Sequence, residues 1–414
     1  MTLTIPLQID RARRRFLIGG EPMVFHCHHY NTHLQRSILD APWVDSEPFL
    51  IGAAADVAFA QLTKVFTEYG AASAPHRKMI AEELYRWCGF GTFDLSMLDE
   101  EGGRVTSCNS HYAMAWQAKF GPLPDPVCYF ATGWLCGALA AIFDLPLGSF
   151  AAEHVSCRAG DVSEYCAWEV RRGVPNYNIY RSPGAGKTTE KQELLEVDEG
   201  NVDYEGVYRA LTGMDLSGDS EGHIPAFGVY LTRHFANYYA RVTFELERAL
   251  IQRFGDVGTL AAKPLFVESG HVCAFNMFGG IMTSTEWDAL ILPSLETRED
   301  WVHGLVAAVN ALGWGRWQVA ELSAEAATFV IHDDYESNAY LGMYGTSDHR
   351  VSYLAQGAAA GIMNLVYRGE IESKPRFTPD FYEHLFKADG NFHAEQLTCR
   401  AMGEKYTTVR VFRG

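Results

Sequence analysis

The chain has 414 residues, 48% apolar and 21% charged, with 24 Phe, 20 Tyr and 9 Trp. That content can bury two ordinary cores and excludes a disordered chain. A formal charge of −17, from 51 acidic against 34 basic residues, argues against nucleic acid as a partner, because a phosphate-tracking surface would run against the overall sign.

The first 17 residues place Arg11, Arg13, Arg14 and Arg15 after an apolar start, the reverse of a secretory signal, so a cytoplasmic location is expected. Met23 to His29 reads as a strand, and within Phe25-His26-Cys27-His28-His29-Tyr30-Asn31 alternation puts His26, His28 and Tyr30 on one face. Two histidines two apart on a strand can chelate one metal through neutral imidazoles, with His111 completing an open, enzyme-like site. The plainer alternative is a polar strand end whose histidines bond to backbone.

Helical spacing follows at Ala53 to Tyr69 and His76 to Cys88, then a strand-like run at Gly91 to Leu98 and a polar island at His111-Tyr112. A helix is expected at Phe130 to Phe143, and strands at Glu153 to Cys157 and Cys166 to Val170. Val127 to Phe143, the longest apolar stretch, falls about one residue short of the roughly 18 that a membrane helix needs and holds two glycines, so no membrane span is expected.

Residues 171–200 have a linker composition. Gly184-Ala-Gly-Lys-Thr188 lacks the glycine that a phosphate loop needs five places before Gly186, where Arg181 stands, so it reads as part of that linker. Further on, helices are expected at Phe235 to Phe254 and Ala358 to Tyr367, and strands at Thr328 to His332 and Thr407 to Phe412. His234 and Tyr238 share a helix face, which favours core packing over catalysis. The common hydrolase, zinc-protease and dinucleotide signatures do not occur.

The chain repeats itself. Val127-Cys-Tyr-Phe-Ala-Thr-Gly133 matches Val351-Ser-Tyr-Leu-Ala-Gln-Gly357 at an offset of 224, and Glu153-His-Val-Ser-Cys157-Arg-Ala matches Glu395-Gln-Leu-Thr-Cys399-Arg-Ala at 242. The 18 extra residues of the second copy fall around Glu370 to Asn391 and read as a surface excursion. Pro22 to Phe25 and Val272 to Phe275 form a weaker third match. Helices and strands in blocks favour α+β modules, each with helices on an antiparallel sheet: a first over 1–170 and a second over 201–414.

Seven of the nine cysteines precede Trp168, and an odd number without an export signal argues against disulfides. On a strand, Glu153 and Cys157 point the same way, and a turn at Gly160-Asp161 returns Cys166 beside Cys157. Cys128 supplies a fourth ligand. Three thiolates and a carboxylate favour zinc over magnesium or calcium, with iron possible; otherwise these are buried reduced thiols. The second copy has Ser352 in place of Cys128, keeps Glu395 and Cys399, and lacks the last cysteine, so it is expected to hold no metal.

The run Cys128…Gly133…Gly137…Glu153-x3-Cys157-x2-Gly160-x5-Cys166-x-Trp168 resembles the 4-vinyl-reductase-like domain of bacteriochlorophyll-related proteins and of the sensory region of phenol- and xylene-responsive activators. Gly19 to Phe25 is similar to the opening of that sensory region. The resemblance covers most of residues 15–170 and, in degenerate form, about 265–412. It implies a fold like that of haem-nitric-oxide sensors and vesicle-tethering subunits, an apolar ligand cavity, dimerisation, and a zinc held by Cys128, Cys157, Cys166 and Glu153. The activators' ATPase and helix-turn-helix parts have no counterpart in the sequence.

The expected function is a binding protein or sensor module for a small apolar or aromatic molecule, braced by structural zinc and forming a homodimer. Candidate ligand contacts are His26, His28, Tyr30, His111, Tyr112 and Trp134. The alternatives are a metal-dependent enzyme acting through His26, His28 and His111, and a scaffold that uses the fold only to dimerise.

Overall fold

The structure is a computed structural model and describes residues 4–122, 125–160, 163–185 and 193–414. Asp161 of the expected turn, and Gly186, Lys187 and Thr188 of the glycine-containing linker, lie outside the described residues.

The first half runs β1 (Leu7–Asp10), β2 (Arg15–Ile18), β3 (Glu21–Cys27), α1 (His28–Leu39), α2 (Glu47–Glu68), α3 (Ala74–Trp87), β4 (Gly102–Ser107), α4 (His111–Phe120), α5 (Tyr129–Ile142), β5 (Phe150–Ser156) and β6 (Cys166–Arg172). The second half continues with α6 (Tyr204–Thr212), β7 (Ile224–Ala226), β8 (Val229–Phe235), α7 (Ala236–Phe254), α8 (Asp256–Cys273), α9 (Gly279–Thr283), α10 (Thr285–Leu290) and α11 (Arg298–Val309). It closes with β9 (Arg316–Leu322), β10 (Ala326–His332), α12 (Tyr335–Tyr344), α13 (Tyr353–Arg368), α14 (Pro379–Phe386), β11 (Phe392–Thr398) and β12 (Thr407–Arg413).

The architecture is α+β, with helices packed on three antiparallel sheets. One sheet, ordered β5-β6-β4, belongs to the first half, and a second, ordered β11-β12-β10-β9, to the second half. The third is shared. Its order is β1-β2-β3-β8-β7, and β3 pairs with β8 so that Met23 faces Phe235 and Cys27 faces Leu231. Both strands are buried almost throughout, as the middle of a shared sheet requires.

Both halves also use one helix contact. A Cβ on Gly133 of α5 would sit 2.0 Å from the Ile51 carbonyl oxygen of α2, and a Cβ on Gly357 of α13 would sit 2.2 Å from that of Val267 on α8. Glycine is therefore required for the axes to approach this closely. Helix α2 is long and apolar enough to cross a membrane, but 78% of its most apolar window is buried inside the fold, as in a core helix.

Several expected elements differ. Gly91 to Leu98 forms no strand: Gly89 and Gly91 take positive φ, and Gly91 N donates to Gly222 O, so the chain turns there and the strand comes later, at β4. Val272 to Phe275 is helical and so does not match the strand at Pro22 to Phe25; each half instead has a strand, β3 or β8, that leads directly into a helix, α1 or α7. The 370–391 excursion contains α14, whose Leu385 and Phe386 are buried in the core. The histidine-rich strand ends at Cys27, and His28 opens α1, where Tyr30, Asn31, Leu34, Gln35 and Ile38 are buried at helical spacing.

Candidate metal centre and ligand cleft

Cys128, His154, Cys157 and Cys166 converge, with one ligand atom from each lying within 4.8 Å of the others. Cys128 is the N-cap of α5, His154 lies on β5, Cys157 follows that strand and Cys166 opens β6. Glu153 does not join them. It is exposed and faces Glu169 across the sheet. The cause is a bulge: His154 pairs with Trp168 and Ser156 with Ala167, leaving Val155 as an extra, exposed residue. One extra residue reverses the alternation, so that 154 and 157 share the inner face instead of 153 and 157.

The surroundings order these groups. The His154 ring stacks on Trp168 at 4.5 Å and 10°, and Trp168 Nε1 donates to Thr132 Oγ1 at 2.9 Å. Arg158 N donates to Cys166 Sγ at 3.3 Å, and Ser110 Oγ lies 3.3 Å from Cys128 Sγ. Hydrogen bonds from the thiols of Cys128 and Cys166 hold Cys157 far below the usual thiol range. Burial pushes Cys128 well up, and Cys166 is raised to about 12 beside the Cys157 sulfur. Three thiols this close oppose one another's ionisation, and a cation is what would let them ionise together.

The donor set fits a metal ion. The Cys128 and Cys166 sulfurs are 3.8 Å apart, far beyond a disulfide. A tetrahedral site with zinc–sulfur bonds of about 2.3 Å has sulfur–sulfur edges of about 3.8 Å. His154 Nε2 is buried with no hydrogen-bond partner among the described residues, an orphan of the kind that calls for a ligand. This is the cluster of three or more metal-ligating side chains among the described residues.

The second half builds the same cradle with other contents. Ser352 is the N-cap of α13 in nearly the backbone conformation of Cys128 (φ −87°, ψ 67° against φ −90°, ψ 47°). Asp334 accepts hydrogen bonds from Ser352 Oγ and, at 3.0 Å, from Thr407 Oγ1. Ser337 Oγ lies 2.9 Å from Ser352 Oγ and 3.5 Å from Cys399 Sγ. Glu395 is exposed.

The other histidines are separated. His26 is fully buried, stacked between Tyr30 at 4.2 Å and Trp314 at 4.7 Å, with Nε2 3.3 Å from Tyr335 OH. His28 is on α1, where Nδ1 accepts from Tyr230 N at 3.1 Å. His111 Nε2 is 3.0 Å from Asn31 Nδ2, and Tyr112 OH is 3.2 Å from His234 Nε2. Burial holds His26, His111 and His234 well below their ordinary range, so they are neutral packing and hydrogen-bonding groups. Trp134 is enclosed in the core by Tyr85 at 4.5 Å and Phe93 at 5.8 Å. The structure therefore does not bring His26, His28 and His111 to one centre, because the strand carrying His26 ends before His28.

A cleft of about 460 Å³ opens at the junction of the halves, within the size range of small-molecule sites. His28, His29 and His33 of α1 and Ala115, Ala118 and Lys119 of α4 form one side. Glu268 and Val272 of α8, then Phe275 and Asn276, form the floor. Ala274–Phe278 is a π-helical turn, a distortion that recurs at functional sites. Phe377, Pro379 and Tyr382, from the 370–391 segment, complete the lining together with Thr378 and Glu383. Of the expected ligand contacts, only His28 lines this cleft; His29 and His33 had a signal, their i, i+4 spacing, once α1 is read as helical.

No family model matches the sequence, and no curated protein matches it. Among solved structures, the phenol-responsive sensory domain of the transcription activator PoxR, determined with phenol, aligns at 12% identity and a TM-score of 0.34, covering 47% of this chain and 81% of that one. Similarity at that level bears on neither fold nor ligand.

Proposed function

We propose that the chain is a sensor-type binding protein for a small apolar or aromatic molecule, with the ligand in the cleft between the halves and a structural zinc ion bracing the first half. The observation that carries this reading is the cleft itself: a mostly apolar hollow lined in part by Phe377, Pro379 and Tyr382 of the 370–391 segment. The same segment packs through Leu385 and Phe386, which holds Phe377 and Tyr382 at the cleft.

Cys128, Cys157 and Cys166 as thiolates and His154 as a neutral imidazole would hold the zinc. Four protein ligands close the coordination set, so the ion would supply rigidity and no open position for chemistry. The bracing would act on α5 and the β5–β6 hairpin.

The test is native mass spectrometry and thermal shift on freshly purified protein. The expected result is one zinc per chain, a dimer, and stabilisation by small aromatic compounds that Phe275→Ala reduces. Absence of both metal and any stabilising compound would overturn the reading.

A further inference from the structure

The cleft is lined by one ammonium, Lys119, and two carboxylates, Glu268 and Glu383, and how each is engaged says what kind of molecule fits. On α1, burial draws His28 down to about 4, His29 to about 3 and His33 to about 4, so all three are neutral at neutral pH. Glu268 is already satisfied: it accepts from Tyr382 OH at 2.6 Å and pairs with Lys387 Nζ at 2.6 Å and with His271 Nδ1 at 3.4 Å. Glu383 is exposed at the rim, where water solvates it. That leaves Lys119. Its ammonium donates to His29 O at 3.3 Å and lies 5.4 Å from the Phe120 ring, but it forms no ion pair among the described residues. Burial has lowered its pKa to about 8, with the nearby Cys27 sulfur offsetting only part of that cost, and no carboxylate pairs with it among the described residues.

The remaining walls are apolar. Phe275 meets Phe377 at 5.0 Å and Tyr382 at 5.3 Å, an aromatic corner, and Ala115 and Ala118 add small apolar side chains to the lining. His28 adds a donor: since Nδ1 accepts the Tyr230 N–H, the neutral ring carries its proton on Nε2. One unpaired cation, one imidazole N–H and an aromatic corner suit a ligand with a single anionic group and an apolar body. A phosphate dianion would find one cation where it needs more, and a neutral phenol would leave the ammonium unpaired.

We propose that the cleft takes a small carboxylic acid, its carboxylate on Lys119 and its apolar body against Phe275, Phe377 and Tyr382. This rests on the reading of the cleft as the ligand site. Aromatic acids and medium-chain aliphatic acids share this chemistry, and the aromatic corner favours the former.

Calorimetric titration of the full zinc-loaded chain with 2-naphthoate, 2-naphthol and octanoate tests the assignment. Naphthoate is expected to bind at least tenfold tighter than naphthol, and more tightly than octanoate. Lys119→Met should abolish the difference between naphthoate and naphthol, and Lys119→Arg should retain most of it. Equal binding of naphthoate and naphthol by the wild type, or an unaltered preference in Lys119→Met, would overturn the carboxylate assignment alone. Failure of all three compounds to bind would overturn the cleft as ligand site as well. Tighter binding of octanoate would uphold the carboxylate and overturn the aromatic body.

Discussion

Cys166 and Thr407 hold the same place in the two halves: each accepts an amide N–H at 3.3 Å from the arginine that follows a cysteine, Arg158 in one case and Arg400 in the other. The backbone cradle is thus conserved within the molecule while its contents changed from sulfur to hydroxyl. Where the first half gathers three thiols and an imidazole, the second gathers Asp334, Ser337, Ser352, Cys399 and Thr407 into a hydrogen-bonded knot.

The first prediction concerns metal content. Cys157→Ser and His154→Ala should lose bound zinc and lower stability by several kcal/mol, as expected for a structural site. Glu153→Gln should leave both unchanged. Elemental analysis with thermal unfolding checks this, and zinc loss in Glu153→Gln but not in His154→Ala would reverse the ligand assignment.

The second concerns the knot. Asp334→Ala leaves the buried hydroxyls of Ser352 and Thr407 without their common acceptor, which should cost about 2–4 kcal/mol by denaturant unfolding. Zinc content should not change. A neutral effect on stability would mean that water or another acceptor replaces the carboxylate.

The sequence carried the repeat, the three thiols and the α+β class because these depend on residue type and spacing. It hid His154, because a bulge is a backbone event that one residue of alternation cannot announce, and its neighbour Glu153 took the inner face by default. It also hid the helical start at His28: the His-x-His alternation looked like a strand, while the 30-31-34-35-38 periodicity behind it marked a helix. The cleft was illegible for a different reason. Lys119, the Glu268–Phe275 stretch and Tyr382 come from three separate segments, and only tertiary packing makes them neighbours.

A third prediction uses pH. Glu247 and Asp348 together raise His349 to about 9 against the cost of burial, with Glu247 Oε1 3.2 Å from Nε2. A histidine whose folded value lies above its unfolded one stabilises fully below about 6.5 and loses that contribution as pH rises through 9. Discounted for partial exposure, the effect is on the order of 1 kcal/mol. His349→Gln should flatten the fall in melting temperature between pH 7 and 9; parallel curves for the two proteins would refute it. Glu21, lifted by burial to about 7, weakens stability between about 4.5 and 7 and so acts below this window.

A fourth concerns the glycine contacts. Gly133→Ala should destabilise by about 3 kcal/mol, since the new methyl would meet a backbone oxygen that cannot rotate away. Gly357→Ala should behave alike. Gly121→Ala, at a helix end with open space but positive φ, should cost only about 1 kcal/mol.

Because β3 and β8 lie side by side in the middle of one sheet, the two halves are woven together and not merely tethered. A protease cut in the crossover between Arg172 and Tyr204 would therefore yield fragments that stay associated and melt together. Either fragment made alone would present a naked, apolar strand edge, and should be recovered as aggregate until its complement is supplied.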